Sequence, residues 1–166
     1  MSFSIASPIT SPKRSSSEDG KFAAMAATAL AGIITGSLAF ASAVDVRTLL
    51  THVSQGKEGC DLVSKHFQVW WPCGRDWMVP LILAASAAQG IAFRATKQIN
   101  WVYAGSLLFC IGPYTAIVLG EDIEALRKST TTEVQNITRR FCMFHHVRVG
   151  IAALAFGLSL NNLANM

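Results

Sequence analysis

The chain has 166 residues, of which 14 are Lys or Arg and 10 are Asp or Glu, a charged fraction of 14% against roughly 25% in soluble domains. No charge falls at 22–44, 77–93, 98–120 or 149–166, and uncharged apolar runs of about 17–25 residues match a helix crossing roughly 30 Å of hydrocarbon. This spacing excludes most soluble folds, and a net charge of +4 spread between apolar runs, without a basic stripe, carries no nucleic-acid footprint.

The expected fold is all-α: a four-helix transmembrane bundle with a disordered N-terminal tail. Residues 1–20 are Ser-rich with Pro8 and Pro12, a composition that buries too little apolar surface to offset ordering entropy. Residues 21–166 form a single membrane domain with spans at about 22–44, 77–94, 99–119 and 141–160. The first span is rich in Ala, Gly and Ser, which suits close helix approach. Residues 45–76 are polar and are expected as a long loop. Span two opens at Trp77, an interfacial anchor, with Pro80 in its first turn, where a missing N–H costs little. The basic turn Arg94 to Lys97 leads to span three, in which Pro113 should introduce a kink. The connection 120–140 is expected to be partly helical from Glu121 to Lys128.

Antiparallel spans bring the end of span one, the start of two, the end of three and the start of four to one side of the membrane. That side gathers Asp45, Arg47, His52, His66, Trp70, Trp71, Arg75, Asp76, Glu121, Asp122, Arg140, His145, His146 and Arg148. A polar mouth on an apolar bundle is the form of a pocket for an amphipathic small molecule. Its sharpest feature is Phe144-His-His-Val-Arg148: His145 and Arg148, three apart, share a helix face, with His146 turned about 100° away. Ionisable groups in a span face a bundle interior or a cavity unless they snorkel to headgroups, and the sequence leaves both readings open. Asp45 and Arg47 either complete the pocket or act as a solvated stop signal, Trp70 and Trp71 either stack an aromatic ligand or anchor at the interface, and Tyr114 either donates into the bundle or is packed.

The histidines show no HxxxH or HExxH spacing and the cysteines no CxxC, so no metal site is expected. A Cys60–Cys73 disulfide would require the first loop to face an oxidising lumen. Counting Lys and Arg on the two sides favours a cytosolic pocket mouth.

The pattern Trp101-x-x-x-Gly105, Pro113-Tyr114-Thr115, a short acidic connection ending at Leu126, and Phe141-x-x-x-His145-x-x-Arg148 resembles the anthrone oxygenase family of small four-span proteins. It departs at Phe141, where tryptophan is expected, and in the turn Gly120-Glu121-Asp122-Ile123. The resemblance implies oxidation of an anthrone to an anthraquinone by dioxygen in fungal aromatic polyketide metabolism, and favours His145 and Arg148 over His146. Anthrones lose a proton from C10 to give an electron-rich anion that reacts with dioxygen, so no cofactor beyond dioxygen as co-substrate is expected. The expected catalytic residues are His145 as general base, Arg148 as oxyanion stabiliser and Asp122 (or Glu121) orienting the imidazole. Trp101, Tyr114, His146, Trp71 and Asp45 are expected to bind substrate.

The expected partners are a hydrophobic aromatic polyketide and the lipid bilayer of an endomembrane such as the endoplasmic reticulum, with a homo-oligomer left open. Two other readings stand beside this one. Trp70-Trp71-Pro72-Cys73 superficially resembles the first loop of claudin-type scaffolds, although no second loop cysteine follows. A carrier that holds a hydrophobic metabolite unchanged would show the same composition.

Overall fold

The computed structural model describes residues 16–128 and 133–166, and the described chain is almost entirely helical. The elements are α1 (Ser16–Ala41), a π-helical turn (Ser42–Val46), α2 (Arg47–Val53), α3 (Lys57–Thr96), α4 (Asn100–Val118), α5 (Gly120–Lys128) and α6 (Val134–Ala164). Four helical stretches, Glu18–Val53, Lys57–Thr96, Asn100–Val118 and Val134–Ala164, are long and apolar enough to cross a membrane, as a multi-pass membrane protein requires. α1 and α4 each pack against both α3 and α6, giving a square bundle whose diagonal pairs make few contacts or none.

Most of the expected tail, residues 1–15, lies outside the described residues. Ser16–Gly20, expected in that tail, instead start α1. Glu18 and Asp19 sit in its first turn, where carboxylates favour the positive helix end. Gly20 is buried and close to the far end of α3, since a methyl there would meet Ala95 Cβ at 3.6 Å.

The larger correction concerns residues 45–76, expected as a loop. They are helical except for Ser54–Gly56, and Gly56 makes the turn with φ +81°, a region open to glycine. α3, 40 residues long, extends about 60 Å at roughly 1.5 Å per residue, twice the hydrocarbon thickness. Pro80, placed by sequence in a first turn, is therefore deep inside α3, as is Pro72. The same geometry rules out a Cys60–Cys73 bridge. The two cysteines lie 13 positions apart on one helix and are free, about 20 Å apart at that rise and far beyond disulfide reach.

These extra turns build a cap with its own core. Val46, Leu49 and Val53 recur at helical spacing, as do Cys60, Val63 and Phe67, and they bury against Leu119, Ile123, Leu126, Val134, Phe141 and Cys142. The membrane half has a separate core, in which Ala31, Ile34, Leu38, Ile82, Ala85, Ala104, Leu108, Ile111, Ala152 and Ala155 meet. Half of these residues are alanines, which let the helices approach closely. Gly105 lets α4 rest on α3, where an added Cβ would stand 3.1 Å from Gln89 Cβ.

The two cores are joined unevenly. The inward stripe of α1 steps by three and four from Ala24 through Ala27, Ala31 and Ile34 to Leu38, and the next buried position is Val46. An uninterrupted α-helix would bring position 45 inward. The π turn at Ser42–Val46 holds one extra residue and restores Val46 to the core. On α3 no residue between Phe67 and Ile82 is fully buried; over nearly four turns Trp70 and Trp71 only partly cover the cap core, and Met78 and Leu81 only partly cover the membrane core. The space left between the two cores is the candidate site.

Candidate functional site

A cavity of about 900 Å³ lies at this junction, walled by the end of α1, the middle of α3, the end of α4, α5 and α6. Leu38, Phe40, Trp70, Trp71, Trp77, Met78, Ile82 and Ile111 give it an apolar, aromatic-rich lining, into which Asp45, Arg75, Thr115, Glu124, His145 and Arg148 bring polar groups.

His145 and Arg148 are both buried, 1% and 5% exposed. One turn apart on α6, they touch directly: Arg148 Nη2 donates to His145 Nδ1. The other imidazole nitrogen, Nε2, is 3.3 Å from Leu38 O on α1. A carbonyl only accepts and a guanidinium only donates, so one arrangement satisfies both contacts: a neutral ring with its proton on Nε2 and its lone pair on Nδ1 facing the arginine. Arg148 Nη1 donates to Thr115 Oγ1 on α4 at 3.3 Å. The arginine Nε is buried without a partner, and among the described residues no carboxylate pairs with the guanidinium. Its Cζ lies 5.9 Å from the ring centres of both Trp71 and Phe141, contacts that offset part of its desolvation. The guanidinium thus gives one N–H to Thr115 and one to His145 and lines the cavity with its Nε unpartnered.

The aromatic wall is ordered by mutual contact. Phe67 stacks parallel to Trp71 at 6.0 Å and meets Phe141 edge-on at 5.1 Å. Trp70 Nε1 donates to Asp45 Oδ2 at 3.0 Å, which ties the π turn to α3 and fixes the carboxylate at the cavity edge.

The structure thus brings together four of the residues singled out from sequence: His145, Arg148, Asp45 and Trp71. It places the other four elsewhere. Asp122 does not orient the imidazole. Its buried carboxylate takes Arg140 Nε at 3.0 and 2.9 Å and a further contact from Nη2, joining α5 to α6, while a backbone carbonyl holds His145. Tyr114 does not line the cavity and its hydroxyl donates to Phe144 O at 3.5 Å; its neighbour Thr115 holds the arginine. His146 is exposed, its Nδ1 2.6 Å from Cys142 O, as expected from the 100° step between adjacent helical residues. Trp101 is fully buried at the opposite end of the bundle, with Ala24, Ala27 and Ala92.

Trp70, read from sequence with Trp71 as a ligand-stacking pair or an interfacial anchor, lines the cavity, whereas Thr115 and the Leu38 carbonyl were not assigned roles from sequence. Thr115 was legible as the residue one turn beyond Ile111 on the inward side of α4. A main-chain carbonyl leaves no signature in sequence. Among the described residues no group of three or more His, Cys, Asp or Glu side chains is placed to hold a metal ion.

No curated protein and no solved structure matches the chain. The model of the anthrone oxygenase family matches residues 67–158, a stretch that carries most of α3, all of α4 and α5, and α6 through His145 and Arg148. By that match over more than half its length, with the buried His-x-x-Arg pair inside the matched stretch, the chain belongs to the anthrone oxygenase family.

Proposed function

We propose that the chain is a membrane-embedded oxygenase that converts an anthrone to the corresponding anthraquinone with dioxygen as the only co-substrate. The observation that carries this reading is Arg148, a buried guanidinium with no carboxylate partner among the described residues, set in an aromatic-walled cavity of a size suited to a flat polycyclic ligand. A ketone whose oxygen becomes an anion during reaction supplies what that site lacks.

In the proposed sequence the substrate carbonyl takes over the Arg148 N–H that now points at His145. This frees the Nδ1 lone pair, and His145 accepts a proton from C10 while charge gathers on the oxygen facing Arg148. The Nε2–H bond to Leu38 O keeps the ring in the tautomer that leaves Nδ1 as the base. Dioxygen takes the electron density at C10 and, with a proton, gives a C10 hydroperoxide. Loss of the remaining C10 hydrogen and the terminal OH as water leaves the C10 carbonyl. One oxygen atom ends in the quinone and one in water, and no metal or organic cofactor takes part. The apolar walls let the anionic intermediate meet dioxygen away from bulk water. The same reading places the protein in an endomembrane, such as the endoplasmic reticulum, where an apolar polyketide partitions.

The test is quinone formation and oxygen uptake by detergent-purified protein with an anthrone, with and without chelator, against buffer autoxidation. Acceleration that survives the chelator is expected. Oxidation at the buffer rate would overturn the oxygenase reading in favour of a carrier that holds the metabolite unchanged.

A further inference from the structure

The glycines in the cavity wall differ from those that let helices approach. Gly32 on α1 is a contact glycine, since an added Cβ would stand 3.0 Å from the Phe156 ring. One turn later Gly36 lines the cavity, and a Cβ there would meet nothing within 4 Å. The same holds for Gly74 on α3 and Gly112 on α4. All three lie inside long helices, where glycine is a poor helix former compared with alanine. Helix approach accounts for most small residues in membrane bundles, but at these positions no neighbour is near enough to need it.

Resting on the oxygenase reading of this cavity, we infer that Gly36, Gly74 and Gly112, one on each of three helical walls, set the breadth of the fused-ring ligand the site admits, with the missing side chains leaving room for substituents beyond a bare tricycle. Gly74 lies three positions from Trp71 on α3, and so on the same face, which places open space beside the indole that would stack on the ring system. Gly112 lies three positions before Thr115 on α4, one turn from the residue that holds Arg148.

The test uses the full-length protein in detergent and two ligands, unsubstituted anthraquinone and an anthraquinone with bulky ring substituents, with binding followed by quenching of tryptophan fluorescence. Gly74→Leu and Gly112→Leu are expected to weaken binding of the substituted ligand by about tenfold or more while changing the unsubstituted one by less than about threefold. Gly74→Ala and Gly112→Ala are expected to melt no lower than the parent protein, because they improve helix propensity in open space. Gly150→Ala on α6, also open but outside the cavity lining, is expected to change neither ligand. Equal losses for both ligands, or no loss for either, would overturn the inference. Binding is read without turnover, so size selection in a protein that forms no quinone would count against the oxygenase reading alone.

Discussion

Arg148 donates to the one imidazole nitrogen of His145 that carries a lone pair, so in the free protein the cation occupies the base. The two groups are exclusive partners until something else accepts from the arginine. A substrate oxygen would do so, and the base would then be exposed only when the group that must be ionised is in place.

Replacing Arg148 by Met separates function from stability. Loss of a donor to a developing oxyanion typically costs about 10²–10³ in kcat, and that loss is expected in anthrone oxidation. Removing an unpaired buried charge relieves its desolvation, so the thermal midpoint is expected to hold or rise. An active Arg148→Met protein would remove the arginine from the mechanism.

His145→Ala is expected to lower kcat by about 10²–10⁴, the usual contribution of a positioned base. In wild-type protein labelled with ¹⁵N-histidine, the His145 ring is expected in the Nε2–H tautomer with Nδ1 unprotonated. A doubly protonated ring at neutral pH would contradict the proposed partner exchange.

Asp122→Ala and Arg140→Ala are both expected to lower the thermal midpoint and leave kcat near wild type, because this pair joins α5 to α6 and does not line the cavity. The double substitution should cost less than the sum of the two. A specific loss of kcat in a folded Asp122→Asn protein would return Asp122 to the chemistry.

In the membrane half, Gln89 is fully buried and donates to Ser159 Oγ at 2.9 Å and Ala27 O at 3.2 Å. Such bonds average about 0.6 kcal/mol in membrane proteins, so Gln89→Leu is expected to cost on the order of 1 kcal/mol in reversible unfolding in detergent. The oxidation rate should not change.

Glu124 on α5, outside the spans, accepts from Lys128 Nζ at 2.8 Å and from Arg127 Nη1 at 3.3 Å. Lys128 first, and Arg127 less, hold its carboxyl below the ordinary value of 4.5. A folded-state value below the unfolded one means that this contribution to α5 is present at neutral pH and is lost as pH falls below about 4.5 through the folded value. A carboxyl ¹³C titration should show the depression, reduced in high salt because the group is exposed. No depression at low salt would show the pair is not formed in solution.

The membrane half was legible in sequence because lipid imposes one strong rule: uncharged stretches of spanning length. The cap was not, because charge gaps say nothing about helices that leave the bilayer. Its signal was the recurrence of Val46, Leu49 and Val53, and of Cys60, Val63 and Phe67, a periodicity masked by the charged and polar residues on the opposite faces. His145 and Arg148 stood out as two ionisable groups one turn apart in an apolar helix, and the structure decides between a cavity and snorkelling to headgroups by burying both. Asp122 was misplaced because a carboxylate near a histidine in topology was not near it in space, and a closer guanidinium took it. Trp101 stood out as part of a motif, but its burial with small alanines gives it a packing role.

The wide turn at Ser42–Val46 also acts as a phase shifter. The first helix serves two cores whose inward faces are out of step by one residue, and the turn absorbs the mismatch where Asp45 must reach Trp70. Deleting one residue from 42–46 would give an ordinary α-helix that keeps Val46 in register, whereas straightening the turn with all its residues kept would rotate the whole cap segment about 100° relative to the membrane segment. In that second case Val46, Leu49 and Val53 would turn out of their core, so the winding of this one turn is read by the cavity as the shape of its roof.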